Sequence, residues 1–79
     1  MTNVLEELIN IVSLKLGVPK GDIHEDSHFS IDLNSDPISI ADIITAVENK
    51  FGINLPREEL AKVDTISDLN ELVSERVNF

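Results

Sequence analysis

The chain of 79 residues contains no cysteine, and it has only six basic residues against fifteen acidic ones. Without cysteine it can form no disulfide bond, no thiolate-bound metal site and no cysteine nucleophile, which suits a reducing compartment. The net charge of −9 argues against nucleic acid as a partner, because neutralising phosphates requires clustered lysine and arginine. The same excess of acid favours partners that carry basic surface patches.

Long apolar runs are also missing from the chain. Charged or amide side chains interrupt the apolar stretches well short of the roughly 20 residues that a membrane-spanning helix needs. The N-terminal segment has neither the basic stretch nor the apolar run of a signal peptide. We therefore expect a soluble, cytoplasmic and monomeric protein with no membrane span, and the length indicates one domain over residues 1–79.

Three segments of the chain show apolar side chains at helical spacing. These positions are Leu5, Leu8, Ile9, Val12 and Leu16 in the first segment, Ile40, Ile43, Ile44, Val47 and Phe51 in the second, and Ile66, Leu69, Leu72, Val73 and Val77 in the last. A short additional helix is predicted over residues 58–62, with Leu60 and Val63 turned inward. Because strand-like alternation is absent, the sequence predicts an all-α fold, a small four-helix bundle whose third helix is short.

The first two helices are separated by a long loop over residues 18–34, where no hydrophobic period holds. We expect its apolar side chains to anchor it to the core, and these are Ile23, Phe29, Ile31 and Leu33.

Local signals mark the ends of the predicted helices. Asn3 and Asp36 are expected N-caps, because a short side-chain oxygen can accept a bond from a free N–H of the first turn. Thr65 begins the last helix, and Asp68 three residues later suits a reciprocal capping box. Glycine follows the first two helices, at positions 17 and 52, where a left-handed residue ends a helix.

The start of the second helix carries the most informative motif, Asp36-Pro37-Ile38. Proline suits the first helical position, where its missing N–H costs nothing. Other segments recur at matching spacing, namely Leu16-Gly17-Val18, Phe29, Asp32-Leu33, Phe51-Gly52-Ile53, Leu55-Pro56 and Thr65-Ile66. Together these segments resemble the acyl carrier proteins, small helical proteins that hold an acyl chain on a phosphopantetheine arm.

The resemblance implies that the arm would be esterified to the serine of an Asp-Ser-Leu motif, a position that Pro37 occupies here. Proline has no nucleophile, so no phosphopantetheine is expected at Pro37. The leading hypothesis is therefore a non-enzymatic interaction module of fatty-acid or polyketide-type metabolism. The alternative is a working carrier that bears 4′-phosphopantetheine on Ser35 or Ser39.

The resemblance also implies a docking face on the second helix. At about 100° per residue, Ile38 falls on the outer face of that helix with Asp42 and Thr45. Asp36 and Glu48 add acidic surroundings that would meet basic patches of carrier-dependent enzymes. A fatty acyl chain is a further candidate ligand, and its pocket would be lined by Ile43, Ile44, Val47, Ile53, Leu60 and Val63, although core packing explains these side chains equally well.

One further motif points to a different chemistry. His24-Glu25-Asp26-Ser27-His28 matches the His-Glu-x-x-His pattern of zinc proteases, which requires both histidines on one helical face and a third ligand. A zinc-dependent hydrolase that uses His24, Glu25 and His28 is thus a remote alternative. Because the match falls in the aperiodic loop, we predict no metal site and no catalytic residue.

Overall fold

The computed structural model describes residues 3–77, and it contains four α-helices. These are α1 (Val4–Leu16), α2 (Pro37–Phe51), α3 (Arg57–Leu60) and α4 (Ile66–Val77), with a short 3₁₀ turn at Lys20–Asp22. The prediction of an all-α fold with a short third helix and a long loop between the first two is confirmed. The third helix begins one residue earlier and ends two residues earlier than predicted, since residues 61–62 form a turn. Within residues 3–77, no helix combines the length and apolarity that crossing a bilayer requires.

Helix α1 packs against both α2 and α4, and the core lies between these three helices. The largest fully buried side chains come from all three, and they are Leu8, Val12, Ile43, Val47, Ile66, Leu69 and Val73. Each such burial contributes about 1.5–3 kcal/mol. Packing rather than intrinsic propensity therefore stabilises α2, which is rich in β-branched residues that form helices less readily.

The loop between α1 and α2 is anchored as predicted at three of its four apolar side chains, Ile23, Phe29 and Leu33, which are buried. The prediction for Ile31 is wrong, because 78% of this residue is exposed. The backbone N–H of Ile31 donates to the ring of His28, and in this turn the side chain of Ile31 faces solvent. The burial predicted for Val77 is also wrong, since this residue is 38% exposed at the end of α4, one turn beyond the last core residue Val73.

The helix ends have the predicted chemistry. Asn3 Oδ1 accepts a hydrogen bond of 2.9 Å from Leu5 N–H. At α4, Thr65 Oγ1 accepts from Asp68 N–H at 3.2 Å while Asp68 Oδ2 accepts from Thr65 N–H at 3.1 Å, which is a reciprocal capping box. Gly52 ends α2 with φ of 66°, in the left-handed region that a side chain disfavours.

Backbone hydrogen bonds tie the long loop to the start of α4. Phe29 N–H donates to Asp64 O at 2.9 Å, and Ile66 N–H donates to Ser27 O at 3.1 Å. A third bond, from Ser67 N–H to the carbonyl of residue 25, measures 2.8 Å. The loop is therefore ordered and packed against the bundle, and its C-terminal end leads directly to the start of α2.

Candidate functional site

The start of α2 is held by its N-cap. Asp36 has extended backbone angles, and its Oδ1 accepts a bond of 2.7 Å from Ser39 N–H. The backbone N–H of Ser39, and secondarily its hydroxyl, lower the pKa of the Asp36 carboxyl below its ordinary value. Pro37 follows as the first residue of the helix and is exposed. The position to which the resemblance assigns the attachment serine is thus accessible but offers no oxygen.

The two nearby serines differ in how their hydroxyls are placed. Ser35 Oγ is buried and has no hydrogen-bond partner within the described residues, while Ser35 N–H donates to Phe29 O at 2.8 Å. Ser39 is partly exposed, but it lies two residues beyond Pro37, a rotation of about 200° around the helix. Neither serine presents its hydroxyl where Pro37 stands.

The outer face of α2 carries most of the predicted docking residues. Ile38 is 76% exposed, and Asp36, Asp42 and Thr45 are exposed with it. An apolar side chain therefore shares an open face with two carboxylates, which suits contact with a basic, partly apolar surface.

Glu48 differs from the other predicted docking residues. It is only partly exposed, and its Oε2 accepts a hydrogen bond of 2.8 Å from Leu55 N–H. One carboxylate oxygen therefore holds the segment between α2 and α3. The sequence gives no signal for this bond, because its partners are seven residues apart and belong to no recurrent capping motif.

A cleft of about 480 Å³ opens between α2 and α3, next to Pro37. Its apolar lining comes from α2, α3 and the adjoining loops, and includes Phe29, Ile40, Ile43, Ile44, Leu55, Leu60 and Val63. Four of the six predicted pocket residues are among these; Val47 and Ile53 are not. The volume falls within the range of about 300–1,000 Å³ that is typical of small-molecule sites. Among the described residues, Arg57 is the one lysine or arginine side chain of the lining.

The His24–His28 segment lacks the arrangement that zinc-protease chemistry requires. It forms turns and an isolated bridge from His28 to Thr65, not a helix, so its two histidines do not share a helical face. Across residues 3–77, no group of three or more potential ligands is placed to hold a metal ion. His28 instead uses its ring within the loop, where Nδ1 accepts from Ser30 N–H at 3.2 Å.

Comparison with known proteins agrees with this fold. The family model described as "Phosphopantetheine attachment site" matches residues 6–73. The chain is 34% identical over 70 residues to the acyl carrier protein of Chloroherpeton thalassium, which covers 89% of this chain and 88% of that protein. It is 34% identical over 71 residues to the acyl carrier protein of Rickettsia canadensis, covering 90% of this chain and 83% of that protein. Acyl carrier proteins are carriers rather than enzymes, which sets aside the zinc-hydrolase alternative. This chain belongs to the acyl carrier protein family.

Proposed function

We propose that the chain is an interaction module of acyl metabolism, built as an acyl carrier protein but without a phosphopantetheine arm at position 37. Residues 1–79 would form its single domain, and its partners would be enzymes that recognise carrier proteins through basic patches. The observation that carries this proposal is Pro37, which stands exposed at the first position of a fully capped α2.

The chemistry of attachment supports the proposal. Esterification of phosphopantetheine requires a hydroxyl oxygen that attacks a phosphate, and a proline side chain has none. The buried hydroxyl of Ser35 could react only after its segment moved away from Phe29, to which its N–H is bonded. Pro37 and Ser35 therefore do not fit the prosthetic group that the family model describes.

The exposed face of α2 supports the role in docking. Ile38 offers an apolar contact, and the carboxylates of Asp36 and Asp42 would attract basic surfaces over a distance of about one Debye length. Such attraction raises association rates most at low salt. Thr45 extends the same face, and Glu48 contributes through the carboxylate oxygen that Leu55 N–H does not occupy.

The cleft beside Pro37 supports a second element of the proposal, an apolar chain held without a covalent bond. Its lining is mostly aliphatic and includes Phe29 and Leu60. An acyl chain in this cleft would gain about 0.8 kcal/mol for each methylene that it buries. The chain would then hold an acyl group in this cleft without a covalent link.

The experiment that tests the proposal is the intact mass of the protein from its own host. A mass that matches the bare chain is the expected result. A mass raised by one phosphopantetheine group, mapped by fragmentation to Ser35 or Ser39, would contradict it and establish a carrier with a relocated attachment site. Ser39 is the better placed of the two for that outcome, because the hydroxyl of Ser35 is buried.

A matched pair of variants then tests whether the docking face has been retained. Pro37→Ser places a hydroxyl at the first helical position. Pro37→Ala also removes proline's restraint on the backbone, but it adds no hydroxyl. With coenzyme A and a tolerant phosphopantetheinyl transferase, Pro37→Ser should gain the group while Pro37→Ala and the unchanged protein remain bare. If Pro37→Ser is folded but stays unmodified, the transferase does not recognise the face around position 37, which would contradict the docking role.

A further inference from the structure

The imidazole of His28 closes a turn in the loop before α2. Its Nδ1 accepts two backbone hydrogen bonds, from Ser30 N–H at 3.2 Å and from Ile31 N–H at 3.3 Å. This is the pattern in which an asparagine or aspartate side chain accepts bonds from nearby N–H groups in a turn. Nδ1 must carry no proton to accept them, so the neutral ring holds its proton on Nε2.

The rest of this turn does not depend on the imidazole. Asp32 Oδ2 accepts from His28 N–H at 2.7 Å, while Asp32 N–H and Leu33 N–H donate to His28 O at 2.9 and 3.0 Å. Among the bonds of residues 3–77, Nδ1 of His28 is the one acceptor for Ser30 N–H and Ile31 N–H. The Ser30–Ile31 segment therefore depends on one lone pair.

Several charged groups lie near His28 in the turn, at the start of α4 and along the cleft. Asp32 accepts a bond from the backbone of His28, and Asp68 at the start of α4 interacts electrostatically with its ring. The charged groups that line the same cleft as His28 are Asp64, Glu48 and Arg57. Four of these five groups are carboxylates. The backbone N–H groups of Asp64 and Thr65 are the main causes that lower the pKa of Asp68, and a positive charge on His28 lowers it further. Histidine side chains commonly gain a proton between about pH 5 and 8.

We propose that protonation of His28 releases the Ser30–Ile31 turn and so makes one rim of the cleft beside Pro37 sensitive to pH. A proton on Nδ1 converts the acceptor into a donor that faces two N–H groups, and both hydrogen bonds are lost. Ser30 and His28 line the cleft, so its opening changes when the turn is released.

The release is confined to this turn. Phe29, only 5% exposed, stays in the core because its N–H donates to Asp64 O at 2.9 Å and its carbonyl accepts from Ser35 N–H at 2.8 Å. Ile31 is already exposed and loses no buried area when it moves. The helices and the N-cap at Asp36 are unaffected.

Nuclear magnetic resonance of the ¹⁵N-labelled chain tests this proposal. Between about pH 8 and pH 5.5, the amide protons of Ser30 and Ile31 should shift upfield and their heteronuclear NOE should fall. The midpoint of both changes should coincide with the titration of the His28 ring protons. The amides of Phe29 and Ser35 serve as internal references that should keep their NOE.

Two histidine variants complete the test. His28→Asn places a side-chain oxygen that does not titrate where Nδ1 lies, so Ser30 and Ile31 should stay ordered at both pH values. His24→Asn is the matched control, because His24 is exposed in the same loop, and it should retain the full pH response. A His28 ring that titrates without any change at Ser30 and Ile31 would overturn the proposal. So would a response that persists in folded His28→Asn. If His28→Asn does not fold, the unchanged protein still tests the proposal. The pH midpoint of the changes at Ser30 and Ile31 must then coincide with the midpoint of the His28 ring titration.

Discussion

The capping box at the start of α4 allows a quantitative prediction for Asp68. Its Oδ2 accepts from Asp64 N–H at 3.0 Å and from Thr65 N–H at 3.1 Å. Asp68→Ala leaves both donors without this acceptor. Because a typical hydrogen bond contributes about 0.5–1.5 kcal/mol net, we expect the free energy of unfolding to fall by about 1 kcal/mol. The whole domain is expected to have a free energy of unfolding of about 4–12 kcal/mol. The substitution should therefore lower Tm by about 4–8 °C.

The same carboxylate gives this effect a definite pH dependence. Hydrogen bonds from the backbone N–H groups of Asp64 and Thr65 lower the pKa of Asp68 below its ordinary value of 3.8. The folded state therefore binds this proton less tightly than the unfolded chain does. The resulting stabilisation is complete above the ordinary value, and it is lost as the pH falls through the lower value of the folded state.

Urea denaturation followed by circular dichroism, from about pH 7 down to about pH 3, measures both effects. Asp68→Asn keeps an acceptor but cannot titrate, so its stability should approach that of the unchanged protein as the pH falls. Glu71→Ala removes the same charge from an exposed site on the same helix and should change stability by less than about 0.5 kcal/mol. A loss of unfolding free energy in Asp68→Ala no larger than that in Glu71→Ala at neutral pH would contradict the structural role of Asp68. So would a stability difference between the unchanged protein and Asp68→Asn that does not narrow in acid.

Three further predictions concern the site and its borders. Glu48→Ala removes the charged acceptor of Leu55 N–H, so urea denaturation should show a loss of about 1.5–3 kcal/mol in the free energy of unfolding. The control Asp42→Ala, on the exposed face, should change it by less than about 0.5 kcal/mol. Equal losses in the two variants would contradict a structural role for Glu48. Ser35→Ala removes a buried hydroxyl with no partner among the described residues, so thermal unfolding should show equal or greater stability, by up to about 1 kcal/mol; a clear loss would mean that the hydroxyl is bonded in solution. Gly52→Ala places a methyl group in open space but at a φ of 66°. The strained backbone alone should therefore lower the free energy of unfolding by about 1–2 kcal/mol. An unchanged Tm would contradict this prediction.

The features that were predictable from sequence are those decided by residues close together in the chain. The N-cap at Asp36 and the capping box of Thr65 and Asp68 were confirmed, because each involves donors and acceptors within three or four positions. The helices were predictable for the same reason, since a 3.6-residue period specifies which face each one buries.

The features that could not be predicted depend on contacts that belong to no recurrent capping or turn motif. Ile31 was expected in the core because it is apolar, but its backbone N–H bonds to the ring of His28, and in this turn its side chain faces solvent. The bond from Leu55 N–H to Glu48 follows from the path of a connection that no local pattern encodes. The buried hydroxyl of Ser35 is likewise set by the loop's packing. At the candidate site, the sequence placed Pro37 and Ile38 correctly on an exposed helix start, and it did not foresee that Glu48 would be committed to the backbone.

The hydrogen bonds that join the long loop to the start of α4 bear on how the chain folds. His28 and Thr65 pair although they lie roughly 37 positions apart. The chain between them must therefore lose conformational entropy before the pairing stabilises the fold. Contacts of this kind slow folding relative to the local contacts within each helix. We expect α1 and α2 to form their turns early, while the loop and the first turn of α4 acquire order together in a single late step. Those two segments would then be lost together when the protein first begins to unfold.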